Sequence, residues 1–329
     1  MERTIEERQR YSDERFEQLR SELSEAEEIC ADKACIYATG SFGRREASEH
    51  SDFDLFIVSL GADKEDRNWL TNLDGILVKA DLIRATKKLG FPAFSGDGRF
   101  LQLHTAKSLI TTTGTEADDA TNTFTARLLL LLESRPLIGN NVHTKIIDDV
   151  IAKYWKEFPD HTDNFMPAYL GNDVLRYWRT LCLNYEARTS EQTPRDRAKR
   201  KLANYKLKHS RMLTCFSALL FLLDIYVKKS TVTVMDAKKM VSLTPTSRVE
   251  SAMKGSTNTK SVQSIRELLE LYGRFLTVTN ASEADLVSLF SNEEQKKRLR
   301  QEQSRFGDLV YEALQSIGEG NKFYRRLVV

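Results

Sequence analysis

The fold of this chain is decided by one stretch near its N-terminus, Gly40-Ser-Phe-Gly-Arg-Arg-Glu-Ala-Ser-Glu-His-Ser-Asp-Phe-Asp-Leu-Phe56. The apolar run at residues 34–39 precedes it, and the length of this run and the glycine that closes it predict a buried strand. Residues 51–58 predict a second strand, because apolar side chains dominate again after the polar segment. The sequence therefore predicts a strand, a glycine-containing turn leading into a helix, and a second strand.

Two acidic residues lie two positions apart on the second predicted strand. Because side chains alternate along a strand, we expect Asp52 and Asp54 to project from one face, while Phe53, Leu55 and Ile57 point into the core. Two adjacent carboxylates repel each other unless a cation lies between them. Magnesium prefers oxygen ligands, and two such ions can stabilise the entering and leaving oxygens of a displacement at phosphorus. The pair therefore predicts a divalent-metal site.

The turn before these aspartates is suited to phosphate. Gly40 and Gly43 have no Cβ, so the backbone can come close to a ligand, and Ser41 lies between them. Backbone amides at the start of a helix are good partners for phosphate oxygens. Together with the aspartate pair, the turn predicts a site for a nucleoside triphosphate and its metal.

The combined pattern resembles the nucleotidyltransferases of the DNA polymerase β superfamily, whose signature is Gly-Ser, a spacer and then Asp-x-Asp on the next strand. It is most similar to the branch that contains the PII-protein uridylyltransferase, the glutamine-synthetase adenylyltransferase and related signal-transduction nucleotidyltransferases. Residues 125–139 also resemble the leucine-rich helix, ending in an arginine and a glycine, that follows the catalytic core in that branch. The residues that match the branch motif are Gly40, Ser41, Phe42, Gly43, Arg44, Glu46, Ser51, Asp52, Asp54 and Leu55.

The resemblance implies roles for individual residues. Asp52 and Asp54 would bind two Mg²⁺ ions, and Gly40 and Ser41 would hold the β- and γ-phosphates of an NTP co-substrate. Arg44 would either contact phosphate or brace the loop, for example through Glu46.

The family pattern also includes a third carboxylate on a later strand, which helps to bind the catalytic metal or acts as a base. Asp97, in the Ser-Gly-Asp-Gly turn at residues 95–98, is the first choice for this catalytic and metal-binding position. Asp81 is the rival, although it falls within a predicted helix. Without a third carboxylate, a regulatory domain that has lost catalysis becomes the alternative.

Composition sets broad limits on the class of protein. The 329 residues include 49 basic and 47 acidic side chains, a net charge of +2, so no global field attracts nucleic acid or membrane. The four cysteines are scattered without metal-binding spacing, which favours a reducing cytoplasm. The N-terminus is charged from its second residue, and the longest apolar stretch, residues 212–223, is shorter than the roughly 20 residues of a membrane span. We therefore expect a cytoplasmic protein with no membrane partner.

The fold class expected from these patterns is α+β. A nucleotidyltransferase domain with a small mixed sheet and an N-terminal helix is predicted for residues 1–115, and a larger all-helical domain for residues 116–329. A helix is predicted at residues 64–89 and a turn at residues 135–139. Further helices are predicted at residues 116–135, 142–157, 165–187, 195–228, 246–279, 282–303 and 304–320.

Residues 195–211 contain eight basic side chains and one acid. This segment is interpreted in three ways: a solvated helix face, a source of Lys206 or Lys208 for the triphosphate or the acceptor, or an RNA contact. RNA is not favoured, because no RNA-recognition motif or stacking-aromatic pattern accompanies the charges.

The expected reaction is metal-dependent transfer of a nucleoside monophosphate from an NTP, such as ATP, to an acceptor hydroxyl with release of pyrophosphate. The branch resemblance favours a protein side chain as acceptor, with RNA and a small molecule as alternatives. A catalytically inactive NTP sensor and a partner-binding module are the other classes that the sequence leaves open, and it does not indicate an oligomeric state.

Overall fold

The structure is a computed structural model that describes residues 2–61, 69–94, 98, 101–187, 193–254 and 259–328, with the side chains of residues 2 and 3 left aside. The chain forms two compact units, one of residues 6–153 and one of residues 1–5 and 154–329. The boundary between residues 115 and 116 that the sequence suggests for the functional domains stays a prediction.

The first unit contains a four-stranded sheet of strands β1 (Ala34–Thr39), β2 (Asp54–Ser59), β3 (Leu103–Thr105) and β4 (Arg135–Ile138). Their order is β3-β2-β1-β4. The central β1 is antiparallel to β2 and β4, whereas β2 and β3 are parallel. The sheet is therefore mixed, as the sequence predicts.

Helices cover both faces of this sheet. The elements are α1 (Glu2–Ser21), α2 (Ser24–Cys30), α3 (Gly40–Gly43), α4 (Asn72–Lys88), α5 (Ala106–Thr111), α6 (Glu116–Ala120), α7 (Thr123–Glu133) and α8 (Asn140–Tyr154). One face buries the alternate residues Phe53, Leu55 and Ile57 in a core with α1, α2 and α4, which confirms their predicted direction. On the opposite face, the Tyr37 hydroxyl donates a 3.0 Å hydrogen bond to the Ala126 carbonyl of α7.

Several predicted elements have different bounds in the structure. The predicted turn at residues 135–139 is wrong, because its first four residues form the edge strand β4, and proline is tolerated on edge strands. The predicted helix at residues 64–89 corresponds to α4, which begins at Asn72 because Thr71 and Asp74 form a capping box there. Residues 64–68 of the predicted helix lie outside the described residues. The second strand begins at Asp54, three residues later than predicted.

The second unit is helical in its described part, as expected. Its helices are α9 (Ala168–Ala187), α10 (Pro194–Lys206), α11 (Met212–Lys229), α12 (Val234–Ser242), α13 (Pro245–Lys254), α14 (Thr259–Val278), α15 (Glu283–Ser291), α16 (Glu293–Gly318) and α17 (Lys322–Val328). The predicted break between residues 303 and 304 is wrong, because Leu299, Phe306, Leu309 and Val310 form one continuous buried stripe along α16.

One helical stretch of the described chain, Pro194–Lys229, is long and apolar enough to cross a membrane. Its apolar window is 78% buried inside the protein, which is typical of a core helix. The stretch is interrupted at residues 207–211 by a π-helical turn, so the single helix predicted for residues 195–228 consists of α10, this turn and α11.

Candidate functional site

The glycine turn follows directly from the central strand. β1 ends at Thr39, and the four residues Gly40–Gly43 form the short helix α3. Gly40 has a φ of +65°, a backbone conformation that residues with a Cβ rarely adopt, which explains why glycine is needed at this corner. Ser41 follows it and is half-buried.

Asp54 lies next to this turn. It is the first residue of β2 and is paired with Thr39, the last residue of β1. A Cβ built on Gly40 would lie 2.7 Å from the Asp54 Oδ2 atom. The Asp54 carboxylate therefore occupies space that only a glycine at position 40 leaves free, and the two halves of the sequence motif meet in the fold.

Asp52 lies just before the strand. Because β2 begins at Asp54, Asp52 lies outside the strand, and the expectation that both carboxylates lie on it is corrected here. Asp52 is exposed to solvent. Between the two aspartates, Phe53 is 2% exposed and stacks on Phe42 of α3 with ring centroids 4.2 Å apart. This buried ring anchors the segment that carries both carboxylates.

Glu133, which the sequence pattern does not predict as a site residue, holds the backbone and the arginine of the glycine turn. The Gly40 N–H donates a 2.9 Å hydrogen bond to Glu133 Oε1, and Arg44 Nη1 donates a 2.8 Å bond to Glu133 Oε2. Arg44 Nε also donates to Glu46 Oε2 at 2.8 Å. We call these three residues, Arg44, Glu46 and Glu133, the glutamate brace. The signal in the sequence is a single acid at the end of the five-leucine run of α7.

The brace bears on the two roles left open for Arg44. Its side chain is 7% exposed and forms ion pairs with both glutamates. These contacts favour the bracing role over direct contact with phosphate, because the guanidinium is committed to two buried carboxylates.

Gly43 is needed for the same packing. A Cβ on Gly43 would lie 2.0 Å from the Glu133 carbonyl oxygen and 2.9 Å from that of Ala38. Both are backbone atoms, which cannot move aside as the end of a flexible side chain can. Gly43 therefore allows α3 to pack closely against β1 and α7.

A second arginine is held by a residue of α1. Arg45 has a φ of +61°, and its guanidinium hydrogen-bonds both carboxylate oxygens of Asp13. Arg135 Nη1 donates to Asp13 Oδ1 at 2.8 Å, and its guanidinium lies 3.8 Å from the centroid of the Phe16 ring. Burial alone would raise the pKa of Asp13, but the Arg45 hydrogen bond and the Arg135 charge outweigh it and hold this pKa below its ordinary value. This network ties α1 and β4 to the end of the motif turn.

The two candidates for a third carboxylate have different outcomes. Asp97 lies outside the described residues. Asp81 lies in α4, where its Oδ2 accepts the Ala26 N–H at 3.0 Å, so the carboxylate caps the first turn of α2. Arg84 lies 3.5 Å from its other oxygen. These contacts give Asp81 a structural role.

The chemistry of the site fits a hard divalent cation. The described residues contain no group of three His, Cys, Asp or Glu side chains placed to hold a metal. Magnesium, however, is commonly bound through one or two carboxylates together with waters and substrate phosphates. Asp52 and Asp54 supply such carboxylates, and the Asp54 carboxylate lies against the backbone of Gly40. The donor set therefore fits a metal that is bound jointly with a triphosphate.

The two predicted lysines lie in the helical unit. Lys206 is the exposed last residue of α10. Lys208 lies in the π-helical turn, and its Nζ is 5.1 Å from the centroid of the Trp178 ring. Their predicted contact with the triphosphate or the acceptor stays a prediction.

Residues 16–93 match the family model of the nucleotidyltransferase domain. The matched segment includes α3, Asp52, Asp54 and α4, which are the elements that form and support the site. The match supports the polymerase β-type superfamily and a transferase of EC 2.7.7 type that moves nucleoside monophosphates. None of the curated proteins and none of the solved structures is significantly similar to the chain.

Proposed function

We propose that this chain is an active nucleotidyltransferase that moves a nucleoside monophosphate from an NTP to an acceptor hydroxyl and releases pyrophosphate. The observation that supports the proposal is the contact geometry between Gly40 and Asp54, in which the glycine turn and the acidic motif meet. The family match to residues 16–93 supports the same reaction class.

Each group has a distinct task in the proposed reaction. Asp52 and Asp54 would hold two Mg²⁺ ions, which would supply positive charge to neutralise the phosphate oxygens. Ser41 and the backbone of α3 orient the β- and γ-phosphates, and the glutamate brace keeps this backbone fixed. The acceptor oxygen forms a bond to the α-phosphorus as the bond to the pyrophosphate oxygen breaks. The proton of the acceptor hydroxyl passes to a base, for which Asp97 is the proposed residue.

Catalysis by this arrangement depends on positioning and charge stabilisation, with no covalent attack by the protein. The stiffness of the turn supports this proposal, because α3 is fixed by the buried Glu133 carboxylate and by the Phe42–Phe53 stack. A turn that is already ordered loses little freedom when the triphosphate binds.

The acceptor and the branch belong to the same proposal. The run from Gly40 to Glu46, followed by Ser51 to Leu55, favours the branch of protein-modifying uridylyl- and adenylyltransferases. We therefore propose a protein hydroxyl as acceptor and ATP or UTP as donor. An NTP-sensing module without turnover is the second candidate, since the family pattern includes a third carboxylate and Asp97, the residue proposed for it, lies outside the described residues.

The test uses α-labelled NTPs, magnesium and a cell lysate. We expect label on protein, and we expect Asp52→Asn and Asp54→Asn each to lower the transfer rate by at least about a hundredfold. Asp308→Asn, a change of an exposed aspartate on α16, is the matched control and should leave the rate unchanged. Label on RNA would replace the protein acceptor. Tight NTP binding without pyrophosphate release would support the sensor. Absence of both NTP binding and transfer in the unaltered protein would refute the proposal.

A further inference from the structure

A cavity of about 780 Å³ lies in the helical unit, between α10, α15 and α16. Cavities that hold a small ligand have volumes of roughly 300–1,000 Å³. The residues that line this cavity lie between positions 201 and 304, so it shares none with the glycine turn or the two aspartates. It is therefore a separate space that the proposed reaction does not use.

Three cationic side chains from two helices line the cavity. Lys201 comes from α10, and Lys297 and Arg300 come from α16. Within the described part of the chain, none of the three forms an ion pair or a side-chain hydrogen bond. Lys199, two positions before Lys201, does find an acid, since it pairs with Glu283 at 2.6 Å. The charge at the cavity is thus left for a bound anion to neutralise.

The acids of the lining reduce this charge only in part. Glu293 is already paired with Lys296 at 2.5 Å. Glu294 is exposed in the first turn of α16. Four cations and two acids line the cavity, so its formal net charge is +2. A cleft of one sign concentrates ions of the opposite sign, and a ligand with at least two negative charges matches this one.

The uncharged residues of the lining suit the rest of such a ligand. Asn204, Gln303 and Ser304 supply amide and hydroxyl groups, and their side chains form no hydrogen bond with the described residues. Phe290 is 5% exposed and adds an apolar surface. Binding sites for organic molecules commonly combine apolar surface with a few converging polar groups. The lining therefore favours a ligand that carries more than bare charge.

The helices that present these groups are fixed by a shared core. Leu202 of α10, Phe290 of α15 and Leu299 of α16 are buried in one hydrophobic cluster. The Tyr205 ring of α10 also lies 5.5 Å from the Phe290 ring, measured between centroids. Cations on helices that are already ordered lose less freedom on binding than cations on a mobile loop, so the frame favours affinity.

We propose that this cavity binds a small anion with two or more phosphate groups, of about the size of a nucleotide. Arg300 suits phosphate because its planar guanidinium can donate two parallel hydrogen bonds, and Lys201 and Lys297 add positive charge. The inference gives a role to Lys201 within the basic segment 195–211. It concerns the helical unit and stands whether or not the first unit transfers nucleotides.

The first test is isothermal titration calorimetry of the whole protein with two probes, ATP and inorganic tripolyphosphate. EDTA is present, so that metal-dependent binding at Asp52 and Asp54 does not contribute. We expect both probes to bind, and the double variant Lys297→Gln and Arg300→Gln to bind them at least about tenfold more weakly, because two charge-assisted contacts are lost. Both positions are exposed, so its melting temperature without ligand should not change.

The matched control is the double variant Lys322→Gln and Arg325→Gln on α17. It removes the same charge from two exposed positions of the same helical unit at the same spacing of three residues. We expect its affinity for both probes to equal that of the unaltered protein. Equal weakening in the two double variants would overturn the proposal, because it would show that net charge alone attracts the probes.

The comparison of the two probes identifies the source of the phosphates. Tighter binding of ATP indicates a nucleotide whose nucleoside contacts the amides and Phe290, whereas equal affinities indicate the phosphate chain alone, and both results support the site. Failure of the unaltered protein to bind either probe would overturn it. Binding of a single-stranded RNA oligonucleotide that ATP does not displace would also overturn it, in favour of a nucleic-acid surface.

Glu294→Gln tests the sign of the ligand's charge. This change removes the acid that faces the cavity without a partner among the described residues. We expect it to strengthen the binding of tripolyphosphate, because repulsion between the carboxylate and the anion is lost. Unchanged or weaker binding in the same calorimetric assay would contradict the placement of the phosphates beside α16.

Discussion

The backbone N–H of Gly40 donates a hydrogen bond to the side chain of Glu133, although the two residues are 93 positions apart in the chain. Glu133 is the last residue of α7, far beyond the acidic motif in the chain. Its carboxylate is buried and also binds Arg44. The glycine turn of the candidate site is therefore shaped by a residue outside the segment that carries its signature.

Replacing Glu133 should destabilise the protein. Glu133→Ala leaves Arg44 buried with one carboxylate partner fewer and leaves the Gly40 N–H without its acceptor, so we expect the free energy of unfolding to fall by about 3 kcal/mol. Urea denaturation measures this loss. In the double variant Arg44→Met and Glu133→Met, both members of this ion pair are removed together, although Glu46 loses its arginine, and the loss should be smaller than the sum of the losses for Arg44→Met and Glu133→Met. Strict additivity would show that the two residues do not act together.

Gly43→Ala should be among the most damaging alanine substitutions in the chain. The added Cβ meets two backbone carbonyl oxygens, one at 2.0 Å, so α3 has to move away from β1. We expect a loss of at least about 3 kcal/mol in thermal or urea unfolding. Gly307→Ala is the control, because Gly307 lies within α16 with open space around its Cβ position. That change should stabilise the protein by about 0.5–1 kcal/mol. A tolerated Gly43→Ala would contradict the packing described for α3.

The ion pair between Asp118 and Arg127 should also contribute strongly to stability. Both side chains are fully buried, and their carboxylate and guanidinium are joined by two hydrogen bonds of 2.8 and 2.6 Å. We expect Asp118→Asn to cost about 3 kcal/mol, because it leaves a buried guanidinium without its counter-charge. Arg84→Ala removes an exposed pair with Glu25 and should cost less than about 1 kcal/mol. Similar losses for the two variants would contradict the expectation that the buried pair contributes more than the exposed one.

Stability should fall in mild acid through three buried histidines. Burial lowers the pKa of His104, His143 and His209 to about 4, whereas the ordinary value is about 6.5. Between these values the unfolded chain binds more protons than the folded chain, so the free energy of unfolding decreases as pH falls from 6.5 towards 4. The stabilising contribution of the three neutral histidines is fully present above about pH 6.5.

His104 is the best histidine for testing this effect. Its Nε2 is buried and has no hydrogen-bond partner among the described residues. His104→Leu should reduce the free energy of unfolding that is lost between pH 6.5 and pH 4 by at least about 1 kcal/mol, because one of the three groups no longer titrates. Unfolding measured across this pH range checks the slope. An unchanged slope would mean that His104 takes up its proton as readily in the folded protein as in the unfolded chain.

The local sequence pattern was sufficient to predict the central part of the candidate site. The apolar runs on either side of the motif predicted both strands, since burial on both faces requires nearly continuous apolar residues. The spacing of Gly40, Ser41, Asp52 and Asp54 suggested the reaction class before any contact was known, and the family match to residues 16–93 supports that class. The bounds of the second strand were less accurate, because the apolar pattern does not mark where hydrogen bonding to the neighbouring strand begins.

Long-range contacts account for what the sequence did not predict. The segment Arg-Pro-Leu-Ile at residues 135–138 has the composition of a turn, and it becomes a strand only because the edge of β1 is available to pair with it. The periodicity of α4 predicts a helix, yet it cannot indicate which of its two apolar faces is buried. That choice is made by the core residues opposite Val78 and Leu82.

By itself, the sequence determined that a glycine turn follows one strand and that the acidic motif comes with the next, because these elements are adjacent in the chain and their geometry follows from local preferences. Only the tertiary structure decided that Glu133 and Arg44 fix the turn, that Asp81 caps a helix and that Leu73 faces solvent. The physical reason is that a side chain's partner and burial depend on segments that pack against it from distant parts of the chain, and no local pattern encodes that packing.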